Sequence, residues 1–218
     1  MLRVLQCVNN MQRAGLETML MNYYRNIDRT RVQFDFLMHR EESSAYDDEI
    51  EALGGKIYRA PRLFPKNYPS YFQYMKNLFK EHPEYRIVHS HIDSMSYLPL
   101  LAAKKAAIPV RIAHSHNTGI DLDYKYLLKQ LYRYNINNVT THSFACGTKA
   151  GEFLFRGGEF TVVPNAIEPS VFRYDETERK KNALETILKY RGSLSLAADF
   201  DDKEELCRAL EEKYGSFY

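Results

Sequence analysis

Tryptophan is absent from the 218 residues, cysteine occurs three times, and neither sign of charge dominates: 30 Lys and Arg stand against 28 Asp and Glu, a net charge of +2. Each shortage excludes something. Cys7, Cys146 and Cys207 are odd in number, far apart and without metal-ligand spacing. Neither a disulfide framework nor a thiolate metal site is expected, and a reducing compartment fits. The balanced charge carries no nucleic-acid signal. No apolar run approaches the ~18 residues a membrane-spanning helix needs. Met1 leads straight into a strand-like run rather than a signal peptide, so a cytoplasmic protein is expected and the Asn138-Val139-Thr140 sequon carries no expected glycan. What remains is enough chain for one medium domain with a real core and an appendage.

Strand-like apolar runs recur at residues 3–8, 32–39, 56–58, 87–91, 110–114, 143–145 and 160–163. Helical patterns fill the gaps at 16–27, 46–53, 70–80, 95–107, 124–134 and 149–155, the second stopped by Gly54-Gly55. Strands alternating with helices of this length predict a doubly wound parallel α/β sheet, Rossmann-like in type. After residue 172 the character changes. Residues 173–191 form a charged helical pattern with Leu184, Ile187 and Leu188 apolar, and a second pattern from Asp202 puts Leu206, Leu210 and Tyr214 on one face. The expected division is a sheet domain over 1–172 and a short helical tail over 173–218.

Two strand ends carry paired histidines, His89-Ser90-His91 and His114-Ser115-His116. Alternation puts both members of a pair on one face of the sheet. His91 and His116 come last, where open parallel sheets build their ligand crevices. An imidazole there can bond a hydroxyl and change protonation near neutral pH. His89 and His114 are read alternatively as core histidines. No carboxylate or cysteine completes a metal set, so no metal is expected. The loop Ala14-Gly15 joins the first strand to the first helix, whose free N–H groups favour phosphate; the alternative is a tight turn that needs glycine. The absence of GxGxxG argues against an NAD-dependent dehydrogenase. Residues 58–76 mix basic and aromatic side chains around prolines, which fits an anionic membrane surface or a solvated loop ahead of a core helix. Asp121 and Asp123 fit a helix-capping loop or an acceptor contact.

Five segments together carry a family resemblance: Ala14-Gly15-Leu16-Glu17-Thr18, Gln33-Phe34-Asp35-Phe36-Leu37, Ile87-Val88-His89-Ser90-His91, Pro109 through Asn117, and Val163-Pro164-Asn165-Ala166-Ile167-Glu168 with Phe172. In order and spacing they resemble the N-terminal, acceptor-side domain of GT-B glycosyltransferases of family 4, of the bacterial capsular and exopolysaccharide type. Ala14 and Ala166 stand where the family tends to have glycine. The resemblance implies sugar transfer with retention, without metal or cofactor, from a nucleotide-sugar to a surface polysaccharide or lipid-linked acceptor, at the inner face of the membrane. It assigns His116 the catalytic position near the transferred sugar, with Gly15, His91, His114, Asn117 and Thr118 binding substrate. It also implies that the donor-binding domain is absent here. The alternatives are an acceptor-binding subunit completed by a separate donor-domain chain or by a homodimer, and an inactive remnant.

Overall fold

The computed structural model describes residues 1–120 and 122–165. The expected boundary at 172, the helical tail, and Ala166-Ile167-Glu168 with Phe172 lie outside these residues, as does Asp121. Seven strands form one parallel sheet: β1 (Leu2–Val8), β2 (Val32–Met38), β3 (Ile57–Arg59), β4 (Tyr85–Ser90), β5 (Val110–Ser115), β6 (His142–Ala145) and β7 (Thr161–Val162). Their order is β3-β2-β1-β4-β5-β6-β7. The helices are α1 (Gly15–Asn26), α2 (Asp47–Ala52), α3 (Tyr68–Glu81), α4 (Tyr97–Lys105), α5 (Tyr126–Asn135) and α6 (Thr148–Phe155). Each predicted run became an element, with ends shifted by a few residues. The exception in kind is the start of the fourth helix, where Asp93–Ser96 forms a 3-10 turn before α4.

β1 shows why the sheet is central. Val4 through Val8 are all buried, so the strand is covered on both faces, as interior parallel strands are. Leu5 and Cys7 face a core with Leu37, Tyr71, Met75, Val88, Ala113 and Leu154, beneath α3, α4 and α6. Val8 faces the opposite core, with Met19, Leu20 and Tyr24 of α1 and Ile50 of α2. Gly54 ends α2 at φ +87, a conformation that favours glycine. In α6 a Cβ on Gly151 would overlap the Phe160 ring, so only glycine lets the helix seat that aromatic. Helices α1 and α2 join strands running outward on one side of β1, whereas α3 carries the chain back past it. The order therefore reverses between β1 and β4, and the loops leaving their carboxyl ends diverge there.

One buried polar cluster ties the amino ends of β1 and β4 to the middle of β2. The Asp35 carboxylate, fully buried, takes both guanidinium branches of Arg3, with Arg3 Nε at 2.6 Å from Oδ2. It also accepts from the Tyr85 hydroxyl at 2.6 Å and the Lys56 backbone N–H at 2.7 Å. The hydrogen bond to Asp35 pushes the Arg3 pKa further up, and burial pushes up that of Tyr85. Removing one partner of a buried pair strands the other without water. Asp35→Ala is therefore expected to cost about 3–5 kcal/mol, read as a lower urea midpoint at unchanged slope. A loss below about 1 kcal/mol would mean that water replaces the carboxylate.

Candidate active site at the sheet's switch point

A cleft of about 450 Å³ opens where the order reverses, among the loops after β1, β4 and β5. Its walls include Asn9, Gly15, His91, Asp93, His116, Asn117 and Asn165. A larger hollow of about 680 Å³, around Thr140–His142 and Gly158–Thr161, lies at the amino ends of β6 and β7. Parallel sheets bind ligands at the other end, where the loops diverge, and that hollow gathers none of the cleft's histidines.

The histidines stack on one face of the sheet, as alternation requires. His91 Nδ1 stands 3.1 Å from His116 Nε2, and His91 Nε2 stands 2.9 Å from Gln6 Oε1 on β1. Behind them His89 and His114 lie parallel, 2° between planes and 5.4 Å between centroids, against Phe144. Among the described residues, neither nitrogen of His114, nor Nε2 of His89, has a hydrogen-bond partner. Burial lowers all four pKa values, to about 3 for His89 and about 2 for His114. Asp93 pulls that of His116 the other way. All four rings are therefore neutral at pH 7.

Asp93 holds the mouth of the cleft together. It sits at φ 46, a left-handed conformation that aspartate tolerates better than most residues. Its Oδ1 accepts from the backbone N–H of His116 (2.9 Å) and of Asn117 (3.2 Å), and its Oδ2 from Asn117 Nδ2 (2.6 Å). One carboxylate from the β4 loop thus fixes the first two residues of the β5 loop. Charge-assisted bonds of this kind are among the stronger ones in proteins.

Gly15 is the first residue of α1, exposed on the cleft wall. Its φ is not left-handed, and a Cβ there would meet nothing within 4 Å. A tight turn therefore does not require this glycine. The missing side chain does leave the N–H groups of the first turn open to the cleft.

Of the residues singled out from the sequence, Gly15, His91, His116 and Asn117 come together. His114 lies one layer deeper and is not on the wall, and Thr118 is exposed beyond the rim. Asp123 caps the α5 approach, bonded to the Lys125 N–H and paired with Lys129 at 2.8 Å. In the 58–76 segment Tyr71 and Met75 are core, and Arg59 and Arg62 pair with Asp47 and Glu42. Gln6 and Asp93 were not anticipated. Gln6 had a signal, a polar residue inside the apolar run Val4-Leu5-Gln6-Cys7-Val8; Asp93 had none that local pattern reveals. Nitrogens of His89, His91 and His114 lie within 4.8 Å of one another, as a metal trio's might. Lone pairs lie in ring planes, however, and the stacked planes of His89 and His114 do not converge on a point; among the described residues no carboxylate or thiolate joins them to offset a dication's charge.

The sheet order and the cleft at the switch point define a Rossmann-like half of the GT-B type. Residues 13–171 match Glycosyltransferase Family 4, and the chain belongs to that family. EpsF of Bacillus subtilis (strain 168), named provisionally as a glycosyltransferase, is 37% identical over 178 residues, 78% of this chain and 46% of EpsF. Among solved structures, Anabaena Alr3699/HepE in complex with UDP, and with UDP and glucose, superposes with a TM-score of 0.62 at 13% identity, over 85% of this chain and 50% of HepE. Acinetobacter baumannii MurG gives 0.55 at 11% identity, over 79% and 47%. The chain thus spans about half the length of these relatives. At such identities the structural likeness speaks for the fold alone.

The histidine stack makes a prediction about pH. Each ring has a folded pKa below the unfolded value near 6.5, so the unfolded chain binds more protons once the pH falls below that value. Stability is then full above about pH 6.5 and falls as acid is added, by up to about 1.4 kcal/mol per pH unit for each such histidine. Urea titrations at stepped pH should show this slope, and His114→Leu should flatten it while leaving stability at neutral pH unchanged or higher. An equal slope in the variant would remove His114 from the account.

Proposed function

We propose that this chain is the acceptor-side half of a retaining, metal-independent glycosyltransferase that moves a sugar from a nucleotide-sugar to a surface polysaccharide or lipid-linked acceptor. The observation that carries the reading is the meeting of the α1 N-terminus at Gly15 with the His91–His116 pair in one cleft. Helix N–H groups and the open space at Gly15 suit a diphosphate, and the imidazole of His116 suits a sugar hydroxyl beside it. Asp93 fixes the loop that carries His116 and Asn117, so their groups need no reorganisation when substrate arrives. Family membership supports the reaction class.

No helix among the described residues is long and apolar enough to cross a membrane. Contact with the membrane's inner face would instead use the exposed row Leu122, Tyr124, Leu127, Leu131 and Tyr134 on and before α5. The row mixes aliphatic and aromatic side chains, which suits the boundary between headgroups and acyl chains.

Calorimetric titration tests the assignment of halves. A water-soluble, short-chain prenyl diphosphate-sugar should bind, and His116→Ala should weaken it about tenfold, the loss of roughly one hydrogen bond. UDP-glucose should bind far more weakly, because the groups gripping the nucleoside are expected on the other half. Micromolar affinity for UDP-glucose with none for the prenyl compound would reverse the assignment. In sedimentation with vesicles containing anionic lipid, the chain should pellet and the double variant Leu127→Asp/Leu131→Asp should stay in solution; equal partitioning of the two would rule out this face.

A further inference from the structure

The two cleft imidazoles are tied to a side chain that is itself outside the cleft. Gln6 lies within β1 at 1% exposure, with Oε1 at 2.9 Å from His91 Nε2. His91 Nδ1 in turn is 3.1 Å from His116 Nε2. The polarity of this series follows from chemistry. An amide oxygen only accepts, so His91 Nε2 carries the hydrogen. A neutral imidazole has a single N–H, so His91 Nδ1 is bare and accepts from His116 Nε2–H. That leaves His116 Nδ1 bare, and this atom has no hydrogen-bond partner among the described residues. Burial keeps both rings neutral, so the count of one hydrogen per ring applies at neutral pH.

The backbone holds the series in place from both ends. His91 N–H donates to Cys7 O at 2.9 Å, tying the residue to β1 next to Gln6. His116 N–H donates to Asp93. His89 and His114 pack against the two rings, with centroids 4.1 Å from His91 and 4.2 Å from His116, and limit their rotation. A buried amide inside a strand is costly unless bonded, so an apolar residue would be the stabilising choice at position 6 if packing were all that mattered.

We propose that Gln6 is a positioning residue that sets the tautomer of His116 through His91, so that His116 meets the cleft with the lone pair of Nδ1. The inference rests on the reading of the cleft as a sugar site and adds a selectivity to it. A lone pair accepts from a ligand hydroxyl and is repelled by a phosphate oxygen, so His116 faces the sugar and leaves the diphosphate to the α1 N-terminus.

Long-range proton–nitrogen correlation spectra of the full 218-residue chain, labelled at histidine nitrogen, read which ring nitrogen carries hydrogen without any ligand. The expected result is Nε2–H for both His91 and His116. Gln6→Met keeps the length of the side chain and removes the amide; it should shift His116 from one dominant tautomer to a mixture with Nδ1–H. A purely structural Gln6 would lower the melting temperature and leave the tautomer as it was, which overturns the proposal. So does Nδ1–H at His116 in the unaltered chain, an outcome that needs no variant to fold. Adding the prenyl diphosphate-sugar probes the underlying reading separately: if the ligand-free tautomers are as expected but no His116 signal moves, the sugar site is wrong and the relay stands.

Discussion

The placement of β1 between β2 and β4 is the constraint from which the other features follow. Both neighbours pair with it in parallel, so every carboxyl end falls on one edge of the sheet. Crossovers in parallel sheets are right-handed, which puts the helices leading away from β1 in one direction on the opposite face from those leading away in the other. The loops after β1 and β4 must therefore part, and nothing in the regular structure fills the gap. His91, Asp93 and His116 occupy its walls because they follow where β4 and β5 end. The buried Asp35 cluster ties the same three strands together away from the cleft, through Arg3 of β1, Asp35 of β2 and Tyr85 of β4.

The histidine stack sets polarity against burial. Along β4 and β5, alternation that elsewhere delivers valine or leucine to the interior here delivers imidazoles. The outer pair is bonded, His91 to Gln6 and His116, whereas His114 buries two nitrogens with no partner among the described residues. Leaving a buried polar group unpaired costs about 1–3 kcal/mol, a large share of a domain's net stability. A left-handed aspartate stands a few residues away. Departures from local rules concentrated in one place mark functional sites more often than accidents of packing.

The sheet was legible because its signal is local and repeated. Each strand is a short apolar run, and each helix a periodic one, so element type and order could be read before any tertiary contact was known. The histidines were legible for the same reason: period two puts His89 with His91 and His114 with His116 on one face. Depth was not. Nothing in His114-Ser115-His116 says that the first histidine lies behind the wall, since that depends on where the strand meets its loop. Asp93 is a long-range device whose partners lie 23 and 24 positions ahead, and no window of sequence contains the reason for it. Of the two readings for the basic and aromatic segment at 58–76, the loop ahead of a core helix is the one its aromatics on α3 fit, while an exposed apolar row formed on α5, whose helical pattern alone did not say which side faced inward. The loop before the first helix was legible from Ala14-Gly15, but the open space beside Gly15 on the cleft wall could be seen only in three dimensions.

Phe160, seated against Gly151, and Tyr23, whose hydroxyl donates to Pro164 O at 3.1 Å, steer the chain after β7 toward the mouth of the cleft, where Asn165 joins the wall. The backbone thus leaves the sheet at the site itself and not at a distant corner. A substitution that unseats Phe160 would therefore be felt at the cleft as a displaced Asn165, although neither Phe160 nor Gly151 lines it.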